Sequence, residues 1–340
     1  MSGATRYVIV GAGATGASLA AQLHEAGLDY ILVARGRQLE ALRSDGLRYR
    51  RPAGEVSLRL KVTSADELDA LEPDDVLVVT VKTQDLDATL AEWAWRPVRG
   101  GGLVADLPVV TLQNGLAAER KALRRFRHVL GASFHLPASF VEPGVVEVRS
   151  APTIAVVLLG RYPAGPDPLA DAIAAQWNGA GYAVQATDDI ARWKASKLLW
   201  NVNNAVDVLS GTPDEIAALK EALVKEARTV LTAAGVAFAD PSTEQTVDTS
   251  GFVVHPRLTD RPGGMSTWQS FARPDARGHE VDHLNGELVL LARLHDVDAP
   301  LNEAVQRLLG RSFDLREPPG TRHVSEVHPR AARIPTATSP

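Results

Sequence analysis

Apolar residues in the first half of the chain come in short unbroken runs, separated by longer stretches where they recur every three or four positions. The runs lie at residues 7–10 (YVIV), 30–33 (YILV), 76–81 (VLVVTV), 109–112 (VVTL) and 129–133 (VLGAS). They are too short for ordinary helices and apolar on both faces, the pattern of strands buried in a parallel sheet. Helix-like segments between them predict an α/β, doubly wound parallel sheet. Residues 47–62, punctuated by Pro52 and Gly54, read as a hairpin added to that sheet. Two β-rich runs within 144–160, a helical pattern over 167–179 and a short strand at 182–185 complete a domain expected to end near Ala186. Beyond it the period turns helical over 188–209, 214–234, 268–272, 279–297 and 300–312. The expected organisation is a sheet domain over 1–186, an all-helical domain over 187–315, and a tail over 316–340 too rich in proline, charge and threonine to pack.

The first strand runs straight into GAGATG, residues 11–16, and then into an alanine-rich helical segment. Gly11 permits a tight turn, Gly13 lets backbone approach a pyrophosphate, and Gly16 lets the helix pack close to the strand. Together with Ala12, Ala14 and Thr15 they would seat phosphates on the helix N-terminus, where free N–H groups and the helix dipole favour an anion. The second strand follows about 20 residues on, as a dinucleotide fingerprint requires. It ends in ARGR, so Arg35 stands where an NAD-selective protein usually carries an acid. A guanidinium there suits a 2′-phosphate, which favours NADP(H). Lys82 and Asn114 follow two other strands, and ligands of open parallel sheets bind outside strand C-termini. Lys82 is read as a phosphate or adenosine contact and Asn114 as reaching nicotinamide or substrate; each reads equally well as a turn or cap residue.

Composition narrows the field. Hydrophobic residues make up 45% and charged residues 23% of the 340, as in soluble globular proteins, and the length allows two domains. No run approaches the roughly 18 apolar residues of a membrane span, and MSGATR lacks the apolar stretch of a secretory signal, so no membrane association and a cytoplasmic location are expected. Without cysteine the chain has no disulfide, thiolate nucleophile or cysteine zinc site. A net charge of -5 argues against a nucleic-acid partner, and the basic run 120–127 reads as a solvated helix face. No metal site is expected, since His279, His283 and His295 lack ligand partners at a convincing spacing.

Reduction of a ketone places negative charge on its oxygen, and a proton donor must be aimed there. In the predicted helix 188–209, at about 100° per residue, Lys197 shares a stripe with Ile190, Trp193, Asn201, Asn204 and Val208. A lysine flanked by amides on an apolar stripe is a candidate acid; the alternative is a snorkelling side chain beside a satisfied asparagine pair. Lys194, about 60° around the helix, lacks those amide neighbours. Glu280 is expected to open a long helix on the face of Leu284, Leu288 and Leu291, as a buried carboxylate or as compensation for the helix dipole. Ser266 is read either as a donor to a substrate carboxylate or as the cap of the helix at 268–272. The apolar surface from Leu284 to Leu294 is compatible with a homodimer through the helical domain.

GAGATG, VKTQD around Lys82, LQNG around Asn114, SKLLWN with Lys197 and Asn201, and STWQS followed by HEVDHLNGE together resemble the ketopantoate reductase (2-dehydropantoate 2-reductase) family, over nearly the whole chain up to Leu309. The resemblance implies a Rossmann-type domain followed by a helical one, with the active site in the cleft between them, and NADPH-dependent reduction of a 2-keto acid. By motif it makes Lys197 the general acid, puts Asn114 near cofactor and substrate, has Asn201 orient the substrate, gives Ser266 its carboxylate and Glu280 its hydroxyl, and assigns Arg35 and Lys82 to the 2′-phosphate. Two features depart from the family. Many members carry a second asparagine eight residues after the lysine, where Ala205 stands here and Asn204 precedes it. The loop from Ser266 to Glu280, with Arg273, Pro274 and Arg277, is about two residues longer than usual, which leaves the identity of the keto acid open. Two other readings share the glycine turn. One is a 3-hydroxyacid or 6-phosphogluconate type dehydrogenase, which would carry glycines shortly before its lysine. The other is a redox sensor that binds NADP(H) without turnover.

Overall fold

The computed structural model describes residues 5–256, 264–273, 276 and 278–328. The chain forms two compact units, Met1–Lys194 with Asp240–Arg261, and Ala195–Ala239 with Pro262–Pro340.

The strands of the first unit are β1 (Arg6–Val10), β2 (Tyr30–Val33), β3 (Leu47–Arg51), β4 (Gly54–Leu58), β5 (Val62–Thr63), β6 (Asp75–Val79), β7 (Pro108–Thr111), β8 (His128–His135), β9 (Ala138–Glu142), β10 (Val145–Val148), β11 (Ser150–Pro152), β12 (Val156–Arg161), β13 (Ala183–Ala186) and β14 (Phe252–Val254). Eight of them make one sheet in the order β13-β12-β8-β7-β6-β1-β2-β5. Its neighbours run parallel except β8 and β12. From β1 the chain goes to β2 on one side and then crosses to β6 on the other, so the order reverses beside β1, where doubly wound sheets bind ligands. Helices α1 (Ala14–Glu25), α2 (Gly36–Ser44), α3 (Leu86–Ala94), α4 (Ala117–Leu123) and α5 (Pro168–Gly179) accompany the sheet. Alternate residues of β1 feed two cores: Tyr7 and Ile9 join Leu19, Leu23 and Trp177 of α1 and α5, while Val8 and Val10 join Leu86, Leu90 and Trp93 of α3.

The hairpin at 47–62 is not an addition to the main sheet. Strands β3 and β4 pair with β9 and β10 in a separate four-stranded sheet, β4-β3-β10-β9, and only β5 joins β2. The reason lies in α1, whose residues from Gly16 to Leu23 are all buried. A helix of small and apolar residues all round needs cover on both sides, and the second sheet packs over it.

The first unit also extends past the expected boundary at Ala186 and takes back residues 240–256. Strand β14 pairs antiparallel with β11. Arg192 forms a two-pronged pair with Glu244 of α8 (Pro241–Glu244) at 2.7 and 2.9 Å. Gln185 Oε1 accepts from the backbone of Thr246 and Val247 at 2.8 and 3.2 Å. Sequence periodicity reports none of these partners, which are distant in the chain.

Helix α6 (Ile190–Asn201) contains the boundary between units. The described residues of the second unit are helical: α7 (Pro213–Ala233), opened by Pro213 and a Thr212–Glu215 capping box, α9 (Ser266–Phe271), α10 (Asn285–Leu294) and α11 (Pro300–Asp314). Two predicted helices are shorter than expected. The segment 188–209 is α-helical only to Asn201 and then 3₁₀ over Val202–Val208. The segment 279–297 begins as a 3₁₀ turn, Val281–His283, breaks at Leu284 (φ -113°, ψ -82°) and continues as α10. Both breaks meet at Asn285, whose Nδ2 donates to the Val202 carbonyl at 3.1 Å and to Asn302 Oδ1 at 3.0 Å. Asn302 in turn donates to Glu226 Oε1 at 2.8 Å from both its backbone and its side chain. A buried polar network of this kind, joining Asn285, Asn302, Glu226 and the Val202 carbonyl, outweighs a regular helix.

The expected unpacked tail is corrected over residues 316–328. Ser210 donates to the Arg322 carbonyl at 2.8 Å, Val324 donates back to Ser210 at 2.9 Å, and Gly320 donates to Val208 at 2.8 Å. Val324 is buried against Gly211, where a Cβ would lie 2.7 Å from its methyl. Residues 329–340 lie outside the described residues.

Candidate active site

At the end of β1 the glycine turn has the stereochemistry its spacing predicts. Gly11 holds φ at +110°, and a Cβ on Gly16 would sit 1.9 Å from the Gly11 carbonyl oxygen. Thr80, just after β6, ties the turn down by donating to the carbonyls of Val10 and Gly11 at 3.1 and 2.6 Å. A Cβ on exposed Gly13 would meet nothing within 4 Å. Gly13 is the N-cap of α1 and supplies no side-chain cap, so the first N–H groups of the helix are left for a ligand. Ala14 and Thr15 begin that first turn half-buried, behind buried Ala12. Open space at Gly13 beside close packing at Gly16 is what a backbone cradle for a pyrophosphate needs, and the turn fits a dinucleotide.

Strands β7, β6, β1 and β2 are consecutive and parallel, so their C-terminal ends share one edge of the sheet. Arg35 follows β2 as the exposed N-cap of α2, half-buried Lys82 follows β6, and half-buried Asn114 follows β7. Gln113 Nε2 binds two of these ends together, donating to the carbonyls of Val79 and Val81 at 2.9 Å each.

Lys194, set aside in the sequence reading, belongs to this edge. Its Nζ lies 2.7 Å from Glu119 Oε1 and donates to the Gln113 carbonyl; the side chains are 3% and 0% exposed. Thr111 Oγ1 donates to the same Glu119 oxygen at 2.8 Å. Glu119 abuts a basic run whose neighbours Arg120 and Arg124 are exposed, so the local pattern hid a buried carboxylate. No spacing rule links it to a lysine 75 positions away.

In the second unit Lys197 is half-buried, and Asn201 and Asn204 are each 4% exposed. Asn204 lies beyond the end of α6, where residues three apart eclipse on a 3₁₀ helix. It therefore lines up with Asn201, about 40° from Lys197, while Ala205 is turned away. The amide stripe survives on a different helical geometry from the one predicted. Asn201 Oδ1 is buried with no hydrogen-bond partner, as is Ser266 Oγ. Ser266 is the first residue of α9, whose N-cap is Met265, so it does not cap that helix; α9 packs along the 3₁₀ segment that carries Asn204. Glu280, 5% exposed, precedes the short 3₁₀ turn and not a long helix, which removes the helix-dipole account of it. His279 lies among rings, 4.8 Å from Phe313 and 5.7 Å from Phe271. Of the longer loop, Pro274 and Arg277 lie outside the described residues. The described residues contain no cluster placed to hold a metal ion and no helix long and apolar enough to cross a membrane.

Comparison with known proteins agrees with a sheet domain followed by a helical one. The profile described as ketopantoate reductase PanE/ApbA matches residues 7–160, and its C-terminal counterpart matches 189–312. The 2-dehydropantoate 2-reductase of Pyrococcus horikoshii is 27% identical over 308 residues, which cover 87% of this chain and 94% of that protein. In fold, the chain is similar to the PanE/ApbA family ketopantoate reductase of Ralstonia eutropha (TM-score 0.72, 21% identity, 92% of this chain and 99% of that one). It is also similar to D-mandelate dehydrogenase in its ternary structure with NADH and anilino(oxo)acetate (TM-score 0.70, 17% identity, 92% and 99%). With both halves matched in order by one family, the chain belongs to the ketopantoate reductase PanE/ApbA family.

Proposed function

We propose that the protein is an NADPH-dependent reductase of a branched 2-keto acid, with ketopantoate as its first candidate and the corresponding 2-hydroxy acid as product. The observation that carries this reading is that two of the buried unpartnered oxygens in the unit that holds Lys197 are Asn201 Oδ1, on its amide stripe, and Ser266 Oγ. Buried polar atoms are nearly always satisfied, so two orphans beside a polar stripe call for a polar ligand. Family membership and the names of the relatives support the same substrate class.

On this reading the glycine turn holds the pyrophosphate, Arg35 and Lys82 hold the 2′-phosphate, and Asn114 meets the nicotinamide side. When bound, the reduced nicotinamide supplies a hydride to the ketone carbon. Lys197 gives its ammonium proton to the ketone oxygen as negative charge develops there, and is reprotonated from solvent afterwards. Asn201 and Asn204 orient the keto acid, Ser266 donates to its carboxylate, and Glu280 accepts from its hydroxyl.

The test is a screen of NADPH and NADH oxidation against ketopantoate, other branched 2-keto acids and an aromatic one such as phenylglyoxylate. Turnover is expected with a branched acid, at least about tenfold better with NADPH, the worth of one charge-assisted phosphate contact. Binding of NADPH without turnover of any 2-keto acid overturns the enzymatic reading; better turnover of the aromatic acid with NADH redirects it to another 2-hydroxy acid.

A further inference from the structure

Gln38, half-buried in the first turn of α2, makes two contacts that the glycine motif does not include. Its Nε2 donates to the Ala12 carbonyl inside the glycine turn at 2.9 Å. Its Oε1 accepts from the Gly144 N–H at 2.8 Å. Partner chemistry fixes the orientation of the amide: a backbone N–H only donates, so Oε1 must face Gly144 and Nε2 must face Ala12. Gly144 is itself well anchored, since its carbonyl accepts from Arg48 at 2.8 Å in the second sheet and a Cβ on it would lie 3.2 Å from Ala41 Cβ of α2.

We propose that Gln38 is a positioning residue for the dinucleotide, clamping the Ala12 carbonyl against the second sheet so that the Gly13 N–H is held toward the pyrophosphate. The planarity of the peptide enforces this. In a trans peptide the carbonyl of one residue and the N–H of the next point in opposite directions, and the bond between Ala12 and Gly13 is not among the cis bonds. Pinning the Ala12 oxygen toward α2 therefore turns the Gly13 N–H the other way, and Gly13 is exposed with open space around it. This peptide turns about ψ of Ala12 and φ of Gly13, and a glycine at 13 leaves it freer to rotate unless something holds it, so prepaying that rotation raises affinity. The second sheet thereby gains a role beyond covering α1.

The inference rests on the reading of the turn as a dinucleotide site, and its test separates the two. Dissociation constants for NADPH and NADH are measured by fluorescence on wild type, Gln38→Met and Gln38→Lys, at about 0.5 M salt, where long-range charge effects are screened. Gln38→Met loses both contacts and is expected to weaken NADPH binding about tenfold, near the upper worth of one hydrogen bond. Its kcat at saturating cofactor and its keto-acid KM should stay within about twofold, and the cofactor-free thermal midpoint should barely move. Gln38→Lys keeps a donor for Ala12 but offers no acceptor to Gly144, and should recover only part of the lost affinity, the remainder being the share of the second sheet. Unchanged affinity in Gln38→Met, or Gln38→Lys as weak as Gln38→Met, overturns the clamp. A wild type that binds neither nucleotide overturns the dinucleotide reading, and the clamp with it.

Discussion

Two lysines three residues apart on α6 illustrate what decides a residue's role. Lys194 is buried and spent on Glu119 and the Gln113 carbonyl, while Lys197 is half-buried on the stripe of Asn201 and Asn204. Removing one member of a buried ion pair strands the other, at a cost of about 3–5 kcal/mol. Lys194→Met is therefore expected to lower the thermal midpoint by many degrees, and the double variant Lys194→Met/Glu119→Leu to regain much of the loss; a single variant as stable as wild type would refute the pair's structural weight. Lys197→Ala is expected to spare stability and NADPH affinity while lowering kcat at least about 100-fold, the low end for general acid catalysis. Near-normal turnover would remove Lys197 from the mechanism. The sequence placed Lys197 on its amide stripe but ranked Lys194 as the lesser residue, because burial at Lys194 comes from a strand end and a helix far along the chain.

Among the elements, the glycine turn was fully legible, since each glycine answers a local steric demand. Gly16 and Gly13 make opposite predictions. Gly16→Ala drives a methyl into the Gly11 carbonyl, so it should cost about 1–3 kcal/mol of stability and abolish NADPH binding together. At Gly13, φ is -77° and a Cβ meets no protein atom, so Gly13→Ala should fold as well as wild type while weakening NADPH binding. Thermal melts with and without NADPH separate the two; equal stability of both variants would contradict the packing at Gly16. The helices around Lys197 and Glu280 were less legible. Their apolar spacing continues through Val202–Val208 and Val281–His283, yet the backbone tightens at both. Periodicity registers which face is buried, but it is blind to the side-chain amides of Asn285 and Asn302 that draw on neighbouring backbone groups.

For the whole molecule, four buried phenols of the first unit make its stability depend on pH. Burial pushes the Tyr49 hydroxyl up to about 12, and raises those of Tyr7, Tyr30 and Tyr182 as well. An unfolded tyrosine ionises near pH 10, so the folded state holds these protons more tightly; the stability they support is intact below about pH 10 and is lost as pH rises toward 12. Tyrosinate absorbance should therefore appear together with loss of circular dichroism in that window. A separate, non-cooperative titration of two or more of the five tyrosines near pH 10 in a still folded protein would contradict this. What the sequence determined by itself was the parallel sheet, the dinucleotide turn, the succession of two domains and the amide stripe, because each is written in short-range spacing that reflects local sterics and the burial of one face. What only the tertiary structure decided was the second sheet over α1, the return of residues 240–256 to the first unit, the packed segment 316–328, and the polar partners of Lys194, Asn285 and Gln38. Each of these joins groups far apart in the chain, and the free energy that selects them exists only once those groups are brought together.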